Sequence, residues 1–398
     1  MKKLFKVLLL IICVGALAFL YNSRLTQAKN EEREKKAAEL LAATQVTEAP
    51  VEEATPTPPP TPEPTPELFV ISCVGDNRLY ANPNFVGSEY GLPKKVGDDY
   101  AYPYKNTKQY FENDELTIAN LECTLSDKTL YSAEQFSFLA PTAYVNILTE
   151  GGVDFVTMAN NHAMDFSSDG VNDTKEALDG AGIKYCAEGE SQIVRTKNGL
   201  EIGIYSSGND MRPDLNKSKA LEAIAGFKEK DVDYIICMFH WGQELYYKPN
   251  DNQTSLAKDC IDAGANLVYG SHPHCLQPIE EYNGGIILYS MGNWVFGGNT
   301  MPSDPDTAIV QITLERDSDG NVTYKGFDAI PCAVSSNIDG ANARVREEYA
   351  AYENYNDYCP TPYEEGSEGY ERALSKLKGT YETDKQGADY SDYYASWG

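Results

Sequence analysis

The chain has 398 residues, with 33 Lys+Arg against 60 Asp+Glu, nine Cys and only four His. At 42% hydrophobic and 11% aromatic it can bury a sizeable core, which excludes wholesale disorder and allows one large domain or two ordinary ones with non-globular flanks. A net charge of −27 excludes a nucleic-acid binder, which needs a basic face to displace condensed counterions, and disfavours electrostatic docking on anionic lipid.

The charge is unevenly placed. Residues 1–36 carry a net +5 against the chain total of −27, which leaves −32 for the remainder. Lys2, Lys3 and Lys6 precede the apolar run Val7–Tyr21, a pattern that keeps the N-terminus inside a membrane and sends the rest across. The run is read as an uncleaved signal-anchor, residues 1–28, in preference to a cleaved signal, whose one plausible site at Thr26-Gln27-Ala28 has Arg24 in its flank. Residues 29–49 read as a charged helical stalk, and Pro50–Pro66 (PVEEATPTPPPTPEPTP) as an extended polyproline II spacer. The linker is accordingly 29–67, and the globular part begins near Leu68.

From there, five apolar stretches run straight into polar clusters. Leu68–Val74 ends in Gly75-Asp76, Leu116–Ala119 in Asn120-Leu121-Glu122, and Val153–Ala159 in Asn160-Asn161-His162. Tyr234–Phe239 ends in His240-Trp241-Gly242, and Ala265–Tyr269 in Gly270-Ser271-His272-Pro273-His274. Short runs rich in Val, Ile, Phe and Tyr predict buried, parallel strands. Helical periodicity follows at Gly170–Ala181 and at Asn252–Ala263, the latter with Asp251 or Asn252 as N-cap. Strands alternating with helices predict an α/β protein with a largely parallel sheet. From Ile286 the pattern is more purely β, with a hairpin about Asp317–Asn321, which suggests a second sheet packed on the first. After about residue 340 the chain becomes acidic and Tyr-rich, with ten of the 28 Tyr between Tyr349 and Tyr394, and residues 341–398 are read as an appendage to the 68–340 domain. Eight Cys lie outside the anchor; Cys332 with Cys359 is the pairing expected if a disulfide exists.

All four His stand in polar clusters at predicted strand C-termini, the edge at which open α/β sheets bind ligands. With Asp76, Glu122 and Asn161 they offer carboxylate, amide and imidazole donors, a set that suits Zn²⁺, Mn²⁺, Fe²⁺ or Mg²⁺ and not a soft thiolate site. The His272-Pro273-His274 spacing would send two imidazoles to one side of an extended loop. No Gly-x-Ser-x-Gly elbow, Gly-x-Gly-x-x-Gly turn or Walker A loop is present, so serine-hydrolase and nucleotide-cofactor chemistry have no evident seat.

The ordered set Val-Gly-Asp (74–76), Ala-Asn-Leu-Glu (119–122), Ala-Asn-Asn-His-Ala-Met-Asp (159–165), His-Trp-Gly (240–242), Gly-Ser-His-Pro-His (270–274) and Tyr-Ser-Met-Gly-Asn-Trp-Val-Phe (289–296) closely resembles the CapA family of bacterial capsule synthesis, or poly-γ-glutamate biosynthesis, proteins. The resemblance covers roughly 68–335 and implies a calcineurin-like metallophosphoesterase fold, a two-sheet sandwich flanked by helices in α/β/β/α layers. It implies divalent metal held by Asp76, Glu122, Asn161, His240, His272 and His274, with His162 as general acid oriented by Asp165. Arg78 stands where the pattern has a metal-binding His, and is assigned with Asn160 to an anionic substrate. The resemblance further implies a single-pass membrane protein with its C-terminal domain on the bacterial cell surface. Its partners would be an anionic capsule polymer or phosphoester and the membrane subunits of a capsule synthase. Two functions follow from it: a metal-dependent phosphoesterase-like hydrolase in capsule polymer assembly or export, or a non-catalytic subunit that binds or scaffolds the polymer.

Overall fold

The apolar run that opens the globular part forms a strand, β1 (Glu67–Arg78), that extends four residues past the apolar stretch and carries Asp76 within it. The computed structural model describes residues 66–79, 88–132, 136–208, 213–348 and 354–383. The anchor and all but the end of the linker lie outside these residues. Among the described residues, no helix is long and apolar enough to cross a membrane.

The strands that follow are β2 (Leu116–Leu121), β3 (Thr124–Leu125), β4 (Leu139–Ala140), β5 (Phe155–Thr157), β6 (Lys184–Cys186), β7 (Ser191–Arg195) and β8 (Glu201–Ser207). Next come β9 (Tyr234–His240), β10 (Leu267–Ser271), β11 (Ile279–Tyr282), β12 (Gly285–Leu288) and β13 (Asn293–Phe296). The last are β14 (Asp306–Arg316), β15 (Val322–Ala333) and β16 (Thr361–Pro362). The helices are α1 (Leu92–Val96), α2 (Val145–Gly151), α3 (Ser167–Ala181), α4 (Pro213–Glu229), α5 (Asp251–Ala263), α6 (Ile338–Val345) and α7 (Glu368–Leu377).

Two sheets result. One is ordered β16-β15-β14-β1-β2-β5-β6, with β13 also paired to β1; the other is β11-β12-β10-β9-β8-β7. The pairs β1–β2, β2–β5 and β5–β6 in the first, and β8–β9, β9–β10 and β10–β12 in the second, are parallel.

Side-chain alternation shows how the sheets stack. Ile71 and Cys73 of β1 share one core with Ile202 and Ile204 of β8 and with Ile236 and Met238 of β9. The next residue, Val74, faces the other way, among Ile147, Leu148 and Leu178 of α2 and α3. On the second sheet, Ile235, Cys237 and Phe239 turn outward to Ala220 and Ile224 of α4 and to Ala257 and Cys260 of α5. The layers are therefore helix, sheet, sheet, helix. A strand buried on both faces needs an unbroken apolar run, which is why those runs were conspicuous in the sequence.

Three expectations are corrected. The late β segment is not the second sheet: β14 pairs antiparallel with β1 along Glu67–Cys73, so the hairpin extends the first sheet, while β12 joins the second. Its period-two pattern marked it as sheet but carried no information about its partner. Helix α5 is capped by Asn250, not Asp251 or Asn252, because Asn250 and Gln253 close a reciprocal capping box. Cys332 and Cys359 are both buried free thiols: the Cys332 Sγ donates to the carbonyl of Ile330, and that of Cys359 accepts from Asn106 Nδ2. Strand β8 and helix α4 were not anticipated, although the Ile202/Ile204 alternation was there to be read.

The Tyr-rich C-terminal stretch contributes to the same body. β16 pairs with β15, and Tyr363, Ala373 and Leu377 enter the core between the sheets.

Candidate metal centre

The polar clusters meet at one edge. Asp76 lies near the end of β1, Glu122 just past β2, Asn161 and His162 just past β5, His240 at the end of β9, and His272 and His274 just past β10. These are the C-terminal ends of parallel strands from both sheets, so the edge common to the sandwich gathers all four His. A close backbone crossing sets the floor. Asp76 N donates to Gly292 O at 2.8 Å, and a Cβ on Gly75 would lie 2.1 Å from that same oxygen, so only glycine fits there.

Three atoms able to ligate a metal converge here. His240 Nε2 lies 2.7 Å from Asn161 Oδ1 and 3.0 Å from His272 Nδ1. In the tautomer in which His240 Nδ1–H donates to Ser271 Oγ at 2.9 Å, the Ser271 hydroxyl proton goes to the carbonyl of Phe239. Nε2 then presents a lone pair toward the amide oxygen of Asn161. Burial, then the neighbouring imidazoles, holds His240 well below its ordinary pKa, and the same causes bring His272 down to about 4, so both rings are neutral. Lone pairs this close are repulsive unless a cation lies among them. A ligating imidazole whose other nitrogen is fixed by a donated hydrogen bond is the usual arrangement around a metal.

The second half of the cluster is anionic. His274 Nδ1 is 3.3 Å from Asp76 Oδ2, and His274 Nε2 is 3.7 Å from Glu122 Oε1. Burial tends to lower the His274 pKa, but the carboxylates of Glu122 and Asp76 outweigh it and raise it to about 9. Glu122 is fully buried, and neither of its carboxylate oxygens accepts a hydrogen bond. Burial pushes the Glu122 carboxyl up to about 7 although His274 pulls it down, and a divalent cation relieves the cost of holding its charge without hydrogen bonds. The residues present fit such an ion in donor chemistry and in unmet need.

Two expectations about this site change. His272 and His274 do not converge through extended period-two geometry: their φ angles are 95° and 53°, in the left-handed region that side chains seldom occupy. Strain of this kind, about 1–3 kcal/mol per residue, is usual where a site over-determines the backbone. Asn160 does not line the adjoining cavity. Its Nδ2 donates to Asn120 Oδ1 and Leu121 O, and its Oδ1 accepts from His162 N, so its amide holds the loop in place.

His162 stands beside the cluster. Asp165 accepts from its Nδ1 at 3.0 Å and is itself held by Phe138 N at 2.9 Å, which leaves Nε2 free at 3.9 Å from Glu122 Oε1. Arg78 is buried between two rings, its guanidinium carbon 4.2 Å from the Phe138 centroid and 3.8 Å from that of Phe296. Its Nε donates to Gly297 O, and its Nη2 has no partner. A cavity of about 260 Å³ opens over these groups, lined by Arg78, Glu122, His162 and His274 among others. Sequence reasoning missed Asn120, whose Nδ2 donates to Asp76 at 2.9 Å, and Glu244, whose carboxylate lies on the cavity wall near His272 and His274. Asn120 stood in a cluster already noted, whereas Glu244 lies four residues past the end of β9, where no periodicity points to it.

The profile of the bacterial capsule synthesis protein PGA_cap matches residues 70–298, more than half of the chain. The chain belongs to this family. Within it, the PGA biosynthesis protein CapA of Bacillus subtilis is 33% identical over 224 residues, covering 51% of this chain and 59% of that protein. The capsule biosynthesis protein CapA of Bacillus anthracis is 27% identical over 274 residues, covering 62% and 64% respectively. The chain thus spans about three fifths of the length of these two relatives. Among solved structures, the NAD nucleotidase NadN of Haemophilus influenzae aligns with a TM-score of 0.39 at 12% identity, covering 84% of this chain and 67% of that one. All the metal-cluster residues proposed from the sequence fall inside the matched segment of this capsule synthesis family member.

Proposed function

We propose that this protein is a membrane-anchored, cell-surface component of capsule or poly-γ-glutamate assembly or export, and that its site is a divalent-metal centre of phosphoesterase type. The observation that carries the site assignment is the close meeting of Asn161 Oδ1, His240 Nε2 and His272 Nδ1 beside a fully buried carboxylate that accepts no hydrogen bond. Asp76, Glu122 and His274 complete the donor set.

A divalent cation held there supplies Lewis-acid polarisation and lowers the pKa of water from 15.7 toward about 7. The protein's own groups do the rest. Arg78, with its guanidinium clamped between aromatic rings and its Nη2 without a partner, binds an anionic oxygen of the substrate. His162, whose Nδ1–H is fixed by Asp165, delivers a proton from Nε2 to the leaving oxygen. The identities consistent with this mixed oxygen and nitrogen set are Mn²⁺, Fe²⁺, Zn²⁺ and Mg²⁺.

Metal analysis of the purified chain, followed by a phosphodiester turnover assay on the same sample, tests this reading. Bound metal with metal-dependent turnover is the expected result. Bound metal without turnover of any phosphoester or amide favours instead a polymer-binding, non-catalytic subunit.

The proposed topology has its own expected outcome. Protease added to intact cells should release a soluble fragment that begins near the Pro50–Pro66 spacer, since the extended spacer is the most accessible backbone. Protection of the domain until the membrane is opened would reverse the topology.

A further inference from the structure

The metal cluster is supplied from below by strand ends, and its cavity side has two charged neighbours of opposite sign. Arg78 stands two residues past Asp76, across an irregularity in the β1–β13 register, and as a permanent cation it cannot donate a lone pair. Its guanidinium is held by Phe138, Phe296 and the carbonyl of Gly297. Across the cavity stands Glu244, in the loop between β9 and α5.

Glu244 sits within a set of donors. Its carboxylate, His272 and His274 each offer a ligand atom, and these three atoms lie within 4.8 Å of one another. Asp76, Glu122 and His240 form a second such set, and the two are joined by the contacts of His272 with His240 and of His274 with Asp76 and Glu122. The Glu244 loop is fastened on both sides. Leu245 N donates to Pro273 O at 2.7 Å, which ties the loop to the backbone between the two His. Gly242, at φ +86°, passes so near Gln253 that a Cβ would lie 2.6 Å from its Oε1, and Gln253 is the buried capping-box residue of α5.

We propose that Glu244 is a ligand of the metal centre, adding a seventh protein donor from the β9–α5 loop. The proposal rests on the reading of the cluster as a divalent-metal site. It gives the centre three carboxylates, Asp76, Glu122 and Glu244, in place of two. Anionic oxygen favours hard cations, so this ligand biases the site toward Mn²⁺ or Mg²⁺ and away from Zn²⁺, which imidazole alone would favour.

The test uses the full-length chain and the metals alone, with Mn²⁺ and Zn²⁺ affinities measured separately by competition with a chromophoric chelator. In Glu244→Gln, Mn²⁺ should bind about a hundredfold more weakly, Zn²⁺ should lose less than about tenfold, and Glu244→Asp should fall between the unaltered chain and Glu244→Gln. The thermal midpoint of the metal-free protein should be the same in all three, because Glu244 is partly exposed and its loss removes no packing. Equal Mn²⁺ affinities in the unaltered chain and Glu244→Gln would overturn the proposal while leaving the metal site intact. Failure of the unaltered chain to bind either metal would remove the site itself, and the proposal with it.

Discussion

His162→Ala should lower turnover by about 10²–10⁴-fold and leave metal content unchanged, the usual range for a lost general acid. His272→Ala should lose both. The difference follows from where the two rings point. His272 Nδ1 faces His240 Nε2 at 3.0 Å, among the atoms able to ligate the metal, so its removal opens the cation's own shell. His162 instead packs on Phe138 at 4.3 Å between centroids, gives its Nδ1–H to Asp165, and presents only Nε2 to the cavity. Asp165→Asn would leave the ring without a fixed tautomer and should reproduce part of the His162→Ala loss in kcat with little change in KM. Metal content by elemental analysis, paired with turnover on the same preparation, separates these roles. If His162→Ala strips the metal, His162 is a ligand and the proton donor lies elsewhere.

Asp306→Ala should cost about 3–5 kcal/mol of stability, the usual penalty for breaking a buried ion pair and leaving its partners charged. At the head of β14, the Asp306 carboxylate accepts from Arg372 Nε at 2.8 Å and Nη2 at 2.7 Å, from Lys376 Nζ at 2.8 Å, and from the Tyr363 hydroxyl at 2.8 Å. Asp304 takes the remaining short contact with Lys376, at 2.6 Å. Lys376 is 1% exposed, so its charge has no water to return to when Asp306 is removed. By contrast, Arg346→Ala, which breaks the exposed pair with Glu368 on the same C-terminal segment, should cost under about 1 kcal/mol. Urea midpoints of the two variants decide the matter, and equal losses would show the cluster to be solvated.

Acid should reveal the same cluster. Burial pushes the Asp306 carboxyl up, but Lys376 and Arg372 outweigh it and hold it below its ordinary value of 3.8. A depressed folded pKa means stability that is complete above that value and lost as pH falls through the lower folded one. Asp304, raised mainly by burial, works in the opposite sense, so within this cluster the loss of stability in acid belongs to Asp306. That loss should shrink in Asp306→Ala. Because Asp304 also lines the cavity, the C-terminal helix α7 supports the wall of the site through Lys376.

The sequence determined the strands buried on both faces, since burial on two sides forces a long apolar run, and it determined the polar clusters that end them. It also limited the chemistry open to those clusters, because only a few residue types carry lone pairs a divalent ion can use and this chain has just four His to place. What it left open was whatever depends on contacts distant along the chain. Period-two alternation marks a strand but names no neighbour, so the β14–β15 hairpin could be assigned to its proper sheet only once β14 lay against β1. The left-handed turns at His272 and His274 are set by the surrounding fold, not by propensity, and Glu244 reaches the centre only because Leu245 is bound to Pro273, 28 positions away in the sequence. Asn160 looked like a substrate contact from its place beside Asn161, yet the tertiary structure spends its amide on Asn120, Leu121 and His162. A buried amide must satisfy its donors and acceptor with whatever the fold brings near, and only the folded chain decides what that is.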